Sequence, residues 1–159
     1  MDRFVATYVM NLDAKGRISI PAPFRALLVR DASAELYCQP SPNLPALDAG
    51  GPRLIEEIEA LIERYPPYSE TREGIATALY GRSETLHIDS EGRIILTETL
   101  KAHAHIAEAA AFVGLGHKFQ IWEPKRFRAH LVEATRKVRA LRAKLGSRKR
   151  AGDLPGASG

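Results

Sequence analysis

The segment Leu12-Asp13-Ala14-Lys15-Gly16-Arg17-Ile18-Ser19-Ile20 returns seventy-six positions later as Ile88-Asp89-Ser90-Glu91-Gly92-Arg93-Ile94-Ile95-Leu96. Both copies read apolar, Asp, two variable residues, Gly, Arg, Ile, variable, apolar, and the Asp, Gly, Arg and first Ile are identical at constant offset. A spacing kept that strictly marks one structural unit used twice, and a duplicated unit restricts the fold more than composition can. Each copy also places an arginine at a tight turn.

The chemistry of Asp-x-x-Gly-Arg is local. The Asp carboxylate can accept backbone N–H bonds within the turn, and the Gly supplies a positive φ that Lys15 or Glu91 would reach only with strain. Asp13 and Arg17 can then face each other and hold a guanidinium in one orientation, with spare N–H donors suited to a phosphate or a guanine edge. By itself the motif fits two readings. In one, Asp and Arg only buckle a hairpin and form a surface ion pair; in the other, the arginine meets DNA.

Residues 5–12 are rich in β-branched and aromatic side chains and predict a strand, with Arg17 to Ile20 returning after the turn. Pro21 and Pro23 open a short helix whose buried face is Phe24, Leu27 and Leu28, and Ala34 to Cys38 is a further strand. Four prolines and two glycines in residues 39–52 predict a loop. A helix over Arg53 to Tyr65 buries Leu54, Ile58, Leu61 and Ile62, and a second runs from about Thr71 to Tyr80. The second unit repeats the plan: strand Glu84 to Ile88, turn, strand Arg93 to Leu96, a helix from Glu98 capped by Thr97, then strands over Ala111 to Leu115 and Lys118 to Trp122. From Pro124 to about Leu145 the chain is helical, with Phe127, Leu131, Ala134, Val138, Leu141 and Leu145 in a heptad seam.

Three short strands and one small helix are too few to bury a core alone. Two such units packed together can close a small barrel and remove the exposed edges. The predicted fold is therefore mixed α/β, mainly β, with two hairpin, short-helix and strand repeats forming a pseudo-dimeric barrel. Its divisions are residues 1–52 for the first repeat and Pro-rich loop, 53–81 for connecting helices, 82–123 for the second repeat, 124–145 for a C-terminal helix and 146–159 for a basic disordered tail.

Charge narrows the partners. Residues 1–124 hold 12 Lys and Arg against 17 Asp and Glu, whereas residues 125–159 hold 11 against 2. A slightly acidic body ending in a basic segment points to a polyanion without specifying a sequence. Cys38, the only cysteine, has no disulfide partner within the chain and reads as a buried spectator in a reducing cytoplasm. No apolar run nears the ~20 residues that span a bilayer, and the first residues lack a signal-peptide core, so no membrane partner is expected. There is no phosphate-binding Gly loop and no Gly-x-Ser-x-Gly elbow. His103-Ala-His105 lacks the neighbouring cysteines or carboxylates of a zinc site, and His87, His117 and His130 read as surface or structural. No enzymatic activity, cofactor or metal is expected.

Leu12-Asp13-x-Lys15-Gly16-Arg17-Ile18-x-Ile20-Pro21-x-x-Phe24-Arg25 resembles the signature of the MraZ family, within the AbrB-like swapped-hairpin barrel superfamily. The second copy, with Val113-Gly114-Leu115-Gly116-His117-Lys118-Phe119-Gln120-Ile121-Trp122, is similar to that family's second half. The resemblance spans roughly residues 1–38 and 80–131. It implies a sequence-specific DNA-binding transcriptional regulator of the cytoplasm and nucleoid. Such a regulator acts on double-stranded DNA as an octamer-like ring, at direct repeats in the promoter of the division and cell-wall gene cluster. It also places Asp13, Lys15, Arg17, Asp89 and Arg93 on the DNA-facing surface.

The two copies depart from each other. Thr97 stands where the first has Pro21, and Glu91 where the first has Lys15; a glutamate at a turn tip repels phosphate. The first turn is thus expected to dominate DNA contact, aided by Arg3, while the second mainly completes the barrel. The last helix can supply subunit contacts or pack on its own barrel, and Arg148-Lys149-Arg150 can add sequence-independent attraction or merely be solvated. Two other roles fit the same barrel class: an architectural nucleoid protein, and an antitoxin-type interaction module, whose extended tail is usually acidic rather than basic.

Overall fold

The structure, a computed structural model, describes residues 2–152. Among these it forms eight strands and five helices: β1 (Thr7–Asn11), β2 (Arg17–Ser19), α1 (Ala22–Arg30), β3 (Glu35–Pro40), β4 (Ala46–Gly50), α2 (Pro52–Ile62), α3 (Glu70–Leu79), β5 (Glu84–His87), β6 (Arg93–Ile95), α4 (Glu98–Ala104), β7 (Ala109–Gly114), β8 (Phe119–Trp122) and α5 (Pro124–Gly152). Two compact units divide at Pro124.

Both Asp turns close, yet neither closes a hairpin. β1 pairs antiparallel with β7, in register Thr7↔Val113 to Asn11↔Ala109, and β5 pairs with β3, Leu86 opposite Leu36. β2 and β6 pair only with each other, Ile18 opposite Ile94. The first strand of each repeat therefore lies on the third strand of the other, and the two returning strands meet at the centre. The main sheet runs β1-β7-β8-β4-β3-β5. Exchanging the repeats turns this order into its own reverse, so the chain is its own pseudo-dimer.

The two repeats do not close into one continuous sheet. β1 and β5 remain the edges of an open six-stranded sheet, and no ladder joins them to the separate β2–β6 ribbon. A three-residue strand offers too few ladder bonds to bridge both edges while also pairing with its twin.

Repeat equivalence extends into the core. Ile18 and Ile94, Ile20 and Leu96, Phe24 and Leu100, Leu28 and Ala104, Leu36 and Phe112 are buried at matching positions. Phe24 sits at the centre, edge-on to Phe4 at 5.3 Å and to Tyr8 at 5.5 Å, and tilted against Phe119 at 5.0 Å. Each such ring removed from water contributes roughly 1.5–3 kcal/mol. Helix starts follow the local residues: Pro21 precedes α1 and offers no side-chain bond, whereas the Thr97 hydroxyl accepts from the Leu100 N–H to cap α4.

The Pro-rich stretch is a second departure from expectation. Residues 46–50, Ala-Leu-Asp-Ala-Gly, form β4 between β3 and β8, with every residue buried. The prolines at 40, 42, 45 and 52 stand at or outside its ends, where a missing N–H costs no ladder bond. Two flanking strands override the poor β-propensity of Asp and Gly. Over the far face of this region α2 and α3 bury Leu54, Ile58 and Ile62 with Tyr37, while Leu61, expected inward, is 40% exposed.

In the other unit, α5 continues past the expected end at Leu145 to Gly152, so residues 146–152 are helical; residues 153–159 lie outside the described residues. Its apolar seam is largely open, with Leu131, Val138, Leu141 and Leu145 about half exposed. No helix among the described residues is long and apolar enough to cross a membrane.

Candidate nucleic-acid interface

Each turn is a closed cycle of five bonds. In the first, Asp13 Oδ1 accepts the N–H of Lys15 and of Arg17, both at 2.9 Å, and Oδ2 accepts Arg17 Nε at 2.7 Å. The Asp13 N–H donates to the Arg17 carbonyl at 2.9 Å and the Gly16 N–H to the Asp13 carbonyl at 3.0 Å. The second turn repeats this with Glu91, Arg93 and Gly92 around Asp89, each bond between 2.9 and 3.0 Å. Gly16 and Gly92 sit at φ 79° and 77°, the left-handed region where a side chain costs strain.

Both aspartates are held below the ordinary carboxylate range, chiefly by the backbone N–H of Arg17 at the first and of Arg93 at the second. The Arg93 guanidinium is pushed up, first by its bond to Asp89 and further by the charges of Glu91 and, across the ribbon, Asp13. The Asp carboxylates are thus spent on orientation through Nε; Arg17 keeps its terminal nitrogens for another group, whereas one of Arg93's is met by Glu91.

The ribbon register collects the two arginines. Ile18 and Ile94 point into the core, so Arg17 and Ser19, Arg93 and Ile95 occupy the outer face. Arg17 lies opposite Ile95 and Arg93 opposite Ser19, which sets the two arginine Cα atoms roughly 8 Å apart on one surface. Arg3 is elsewhere. It precedes the Phe4–Gly116 bridge at the start of β1, about 30 Å of extended chain from Asp13, and lines a cleft with Asp2, Arg53 and His117.

The turns differ in what surrounds them. Nothing stands within 4 Å of a Cβ placed on Gly16, whereas one on Gly92 would meet Arg25 Cδ at 2.1 Å. Arg25, from α1 of the other repeat, donates through Nη1 to the Glu91 carbonyl at 3.0 Å. Glu91 in turn reaches Arg93 Nη1 at 3.4 Å. The first turn presents Lys15 and Arg17 against one aspartate; the second presents Arg93 against Asp89 and Glu91 and is covered by Arg25. At the first turn the position equivalent to Arg25 is Lys101, which lines the same cleft as Asp13 and Gly16 and pairs with Glu98 at 2.8 Å. Sequence reading missed both basic residues, because their approach to the turns depends on the strand exchange.

Elsewhere, His103 Nε2 lies 3.0 Å from the Leu44 carbonyl, and His105 ends α4 at φ 57°. Among the described residues no group of three or more His, Cys, Asp or Glu could hold a metal ion. Cys38 is fully buried and its thiol is pushed up by desolvation.

The model described as "MraZ protein, putative antitoxin-like" matches residues 79–145. A Xanthobacter autotrophicus protein named transcriptional regulator MraZ is 68% identical over 148 residues, covering 93% of this chain and 94% of its own length. The chain belongs to the MraZ family. The Azorhizobium caulinodans regulator of the same name is 67% identical over 92% of this chain and 94% of its own. A more distant MraZ, from Rickettsia akari, keeps 39% identity over 84% of the chain and 90% of its own. The MraZ resemblance read from the two turn motifs is thereby established over nearly the whole chain.

Proposed function

We propose that this MraZ-family chain is a transcriptional regulator that binds double-stranded DNA sequence-specifically through the outer face of the β2–β6 ribbon. The observation that carries the reading is the first turn, where Asp13 holds Arg17 in one orientation beside Lys15, with open space around Gly16. A fixed guanidinium suits bidentate contact with a guanine edge, worth about 1–3 kcal/mol of discrimination, and Lys15 suits a phosphate. The second turn, with Glu91 against Arg93 and Arg25 over Gly92, contributes less through Asp89 and Arg93. Arg3 adds at most a peripheral phosphate contact. The relatives' name, transcriptional regulator, supports the same role.

One turn offers few contacts. We infer that copies assemble into an octamer-like ring that meets direct repeats in the promoter of the division and cell-wall gene cluster, gaining affinity by avidity. The strand-exchanged sheet and its ribbon are read as an AbrB-like swapped-hairpin barrel, with residues 1–52 and 82–123 as its repeats. The basic side chains of α5 add sequence-independent attraction in the nucleoid.

Gel shifts on the promoter of the chain's own cluster compare Arg17→Ala with Arg93→Ala. The Arg17 change is expected to cost the more, and a larger loss from Arg93→Ala reverses the assignment. Equal competition by unrelated DNA at physiological salt would favour an architectural nucleoid protein instead.

A further inference from the structure

A cavity of about 540 Å³ lies between α2 and the sheet face of β3, β4 and β8, away from both turns. Its floor is polar. Gln39 is opposite Asp48 and Asp48 opposite Gln120, so the three side chains form one row on one face of adjacent strands. They are only 4%, 4% and 7% exposed. Polar groups placed so deep are costly unless each finds a partner.

The protein supplies part of that partnership. Gln120 Nε2 donates to Asp48 Oδ1 at 2.9 Å, and Lys118 Nζ approaches the same oxygen at 3.3 Å. The Trp122 indole N–H donates to Gln120 Oε1 at 3.0 Å, and the Tyr37 hydroxyl, which also meets Ser83 Oγ and the Leu79 carbonyl, lies 3.1 Å from Gln39 Oε1. Of the groups that these bonds leave over (the second N–H of Gln120, two on Lys118, Asp48 Oδ2 and the Gln39 amide), the last two stand opposite each other across β3 and β4. Neither is sealed in protein, since the only fully buried side-chain nitrogen or oxygen without a partner among the described residues is Arg25 Nε. Both side chains line the cavity.

Lys118 already balances the Asp48 charge, so the floor does not call for a cation. It calls for a neutral N–H facing Asp48 and a carbonyl facing Gln39, side by side as the two residues are across the strands. An N–H beside a C=O is the edge of a cyclic lactam, as on uracil or guanine. Leu54, Ile58 and Leu79 offer apolar walls to the body of such a ring, and the volume lies in the ordinary range for small-molecule sites, about 300–1,000 Å³. We propose that this cavity binds a small neutral lactam heterocycle, a nucleobase or nucleoside, through Asp48 and Gln39.

Trp122 is the chain's one tryptophan and touches the row through Gln120, so its fluorescence reports on the floor. The full chain is titrated with uridine and guanosine, and with their ring-N-methylated forms that lack the lactam N–H. Saturable fluorescence change and a raised melting temperature are expected for the parent nucleosides, with at least about tenfold weaker binding of the methylated ones. Asp48→Asn should weaken binding comparably. Because that change can unfold the sheet, Ala60→Phe serves as the second variant: Ala60 is exposed on α2 at the cavity, and a ring there obstructs entry without touching the core. Absence of saturation with either nucleoside to ~10 mM, equal binding of the methylated forms, or unchanged binding by a folded Ala60→Phe chain would each overturn the proposal.

Discussion

Replacing each turn glycine by alanine separates what the two turns share from what the fold adds to one of them. At Gly16, with φ 79° and open space around the new Cβ, only backbone strain opposes the change, about 1–2 kcal/mol. At Gly92 the strain is the same, since φ is 77°, but the Cβ would fall 2.1 Å from Arg25 Cδ. The flexible Arg25 side chain must move, and its bond to the Glu91 carbonyl is lost with it. A hydrogen bond from a charged donor is worth about 1.5–3 kcal/mol; partial exposure of this one brings the figure to about 1 kcal/mol. Gly92→Ala should therefore be about 1 kcal/mol more destabilising than Gly16→Ala. In urea titrations with a slope of about 1–3 kcal/mol/M, that is a midpoint difference of ~0.5 M. In an Arg25→Ala background the difference should vanish, giving a coupling of about 1 kcal/mol between Gly92 and Arg25 and none between Gly16 and Arg25. Equal costs at the two glycines in the parent chain, or a difference that survives loss of Arg25, would refute the claim that α1 of one repeat braces the turn of the other.

Further outcomes follow from the same geometry. Glu91→Lys should strengthen promoter binding and steepen its salt dependence, since it removes the carboxylate beside Arg93 and adds a phosphate partner; an unchanged salt slope in gel shifts would argue against DNA contact by the second turn. Asp13 and Asp89 have folded-state pKa values depressed below the free value of about 3.9, so the turn stabilisation they give is fully present above that value. It is lost as pH falls through the lower folded values; amide shifts of Lys15 and Arg17 titrating at or above the free value would contradict the bonding described. Cys38, buried and with its thiol pushed up by desolvation, should resist iodoacetamide in the native chain at neutral pH and react once urea unfolds it. Thr97→Ala should cost about 1 kcal/mol of stability through the lost α4 cap, read from the urea midpoint.

The residues themselves determine whatever is settled within a few positions. Asp13 to Arg17 form their cycle of bonds with no help from elsewhere, which is why the turn, its positive-φ glycine and the held arginine were legible, as were the Thr97 cap and the Phe24, Leu27 and Leu28 stripe of α1. The constant offset of the two copies also announced a pseudo-dimer. Tertiary structure alone decided which strands pair. The motif reads as a hairpin, yet β1 finds more partner residues on β7 than on the three-residue β2, and β2 finds its equal in β6. That exchange carries Arg25 onto the second turn, and so makes two near-identical motifs unequal beyond the contrast of Lys15 with Glu91. Likewise Ala46 to Gly50 became a strand because β3 and β8 flank it. Asp48 thereby meets Gln120, a contact seventy-two positions long that no local pattern encodes. Short-range hydrogen bonding is written in the order of residues; pairing and burial are settled by competition among distant segments, and only the folded chain decides the winner.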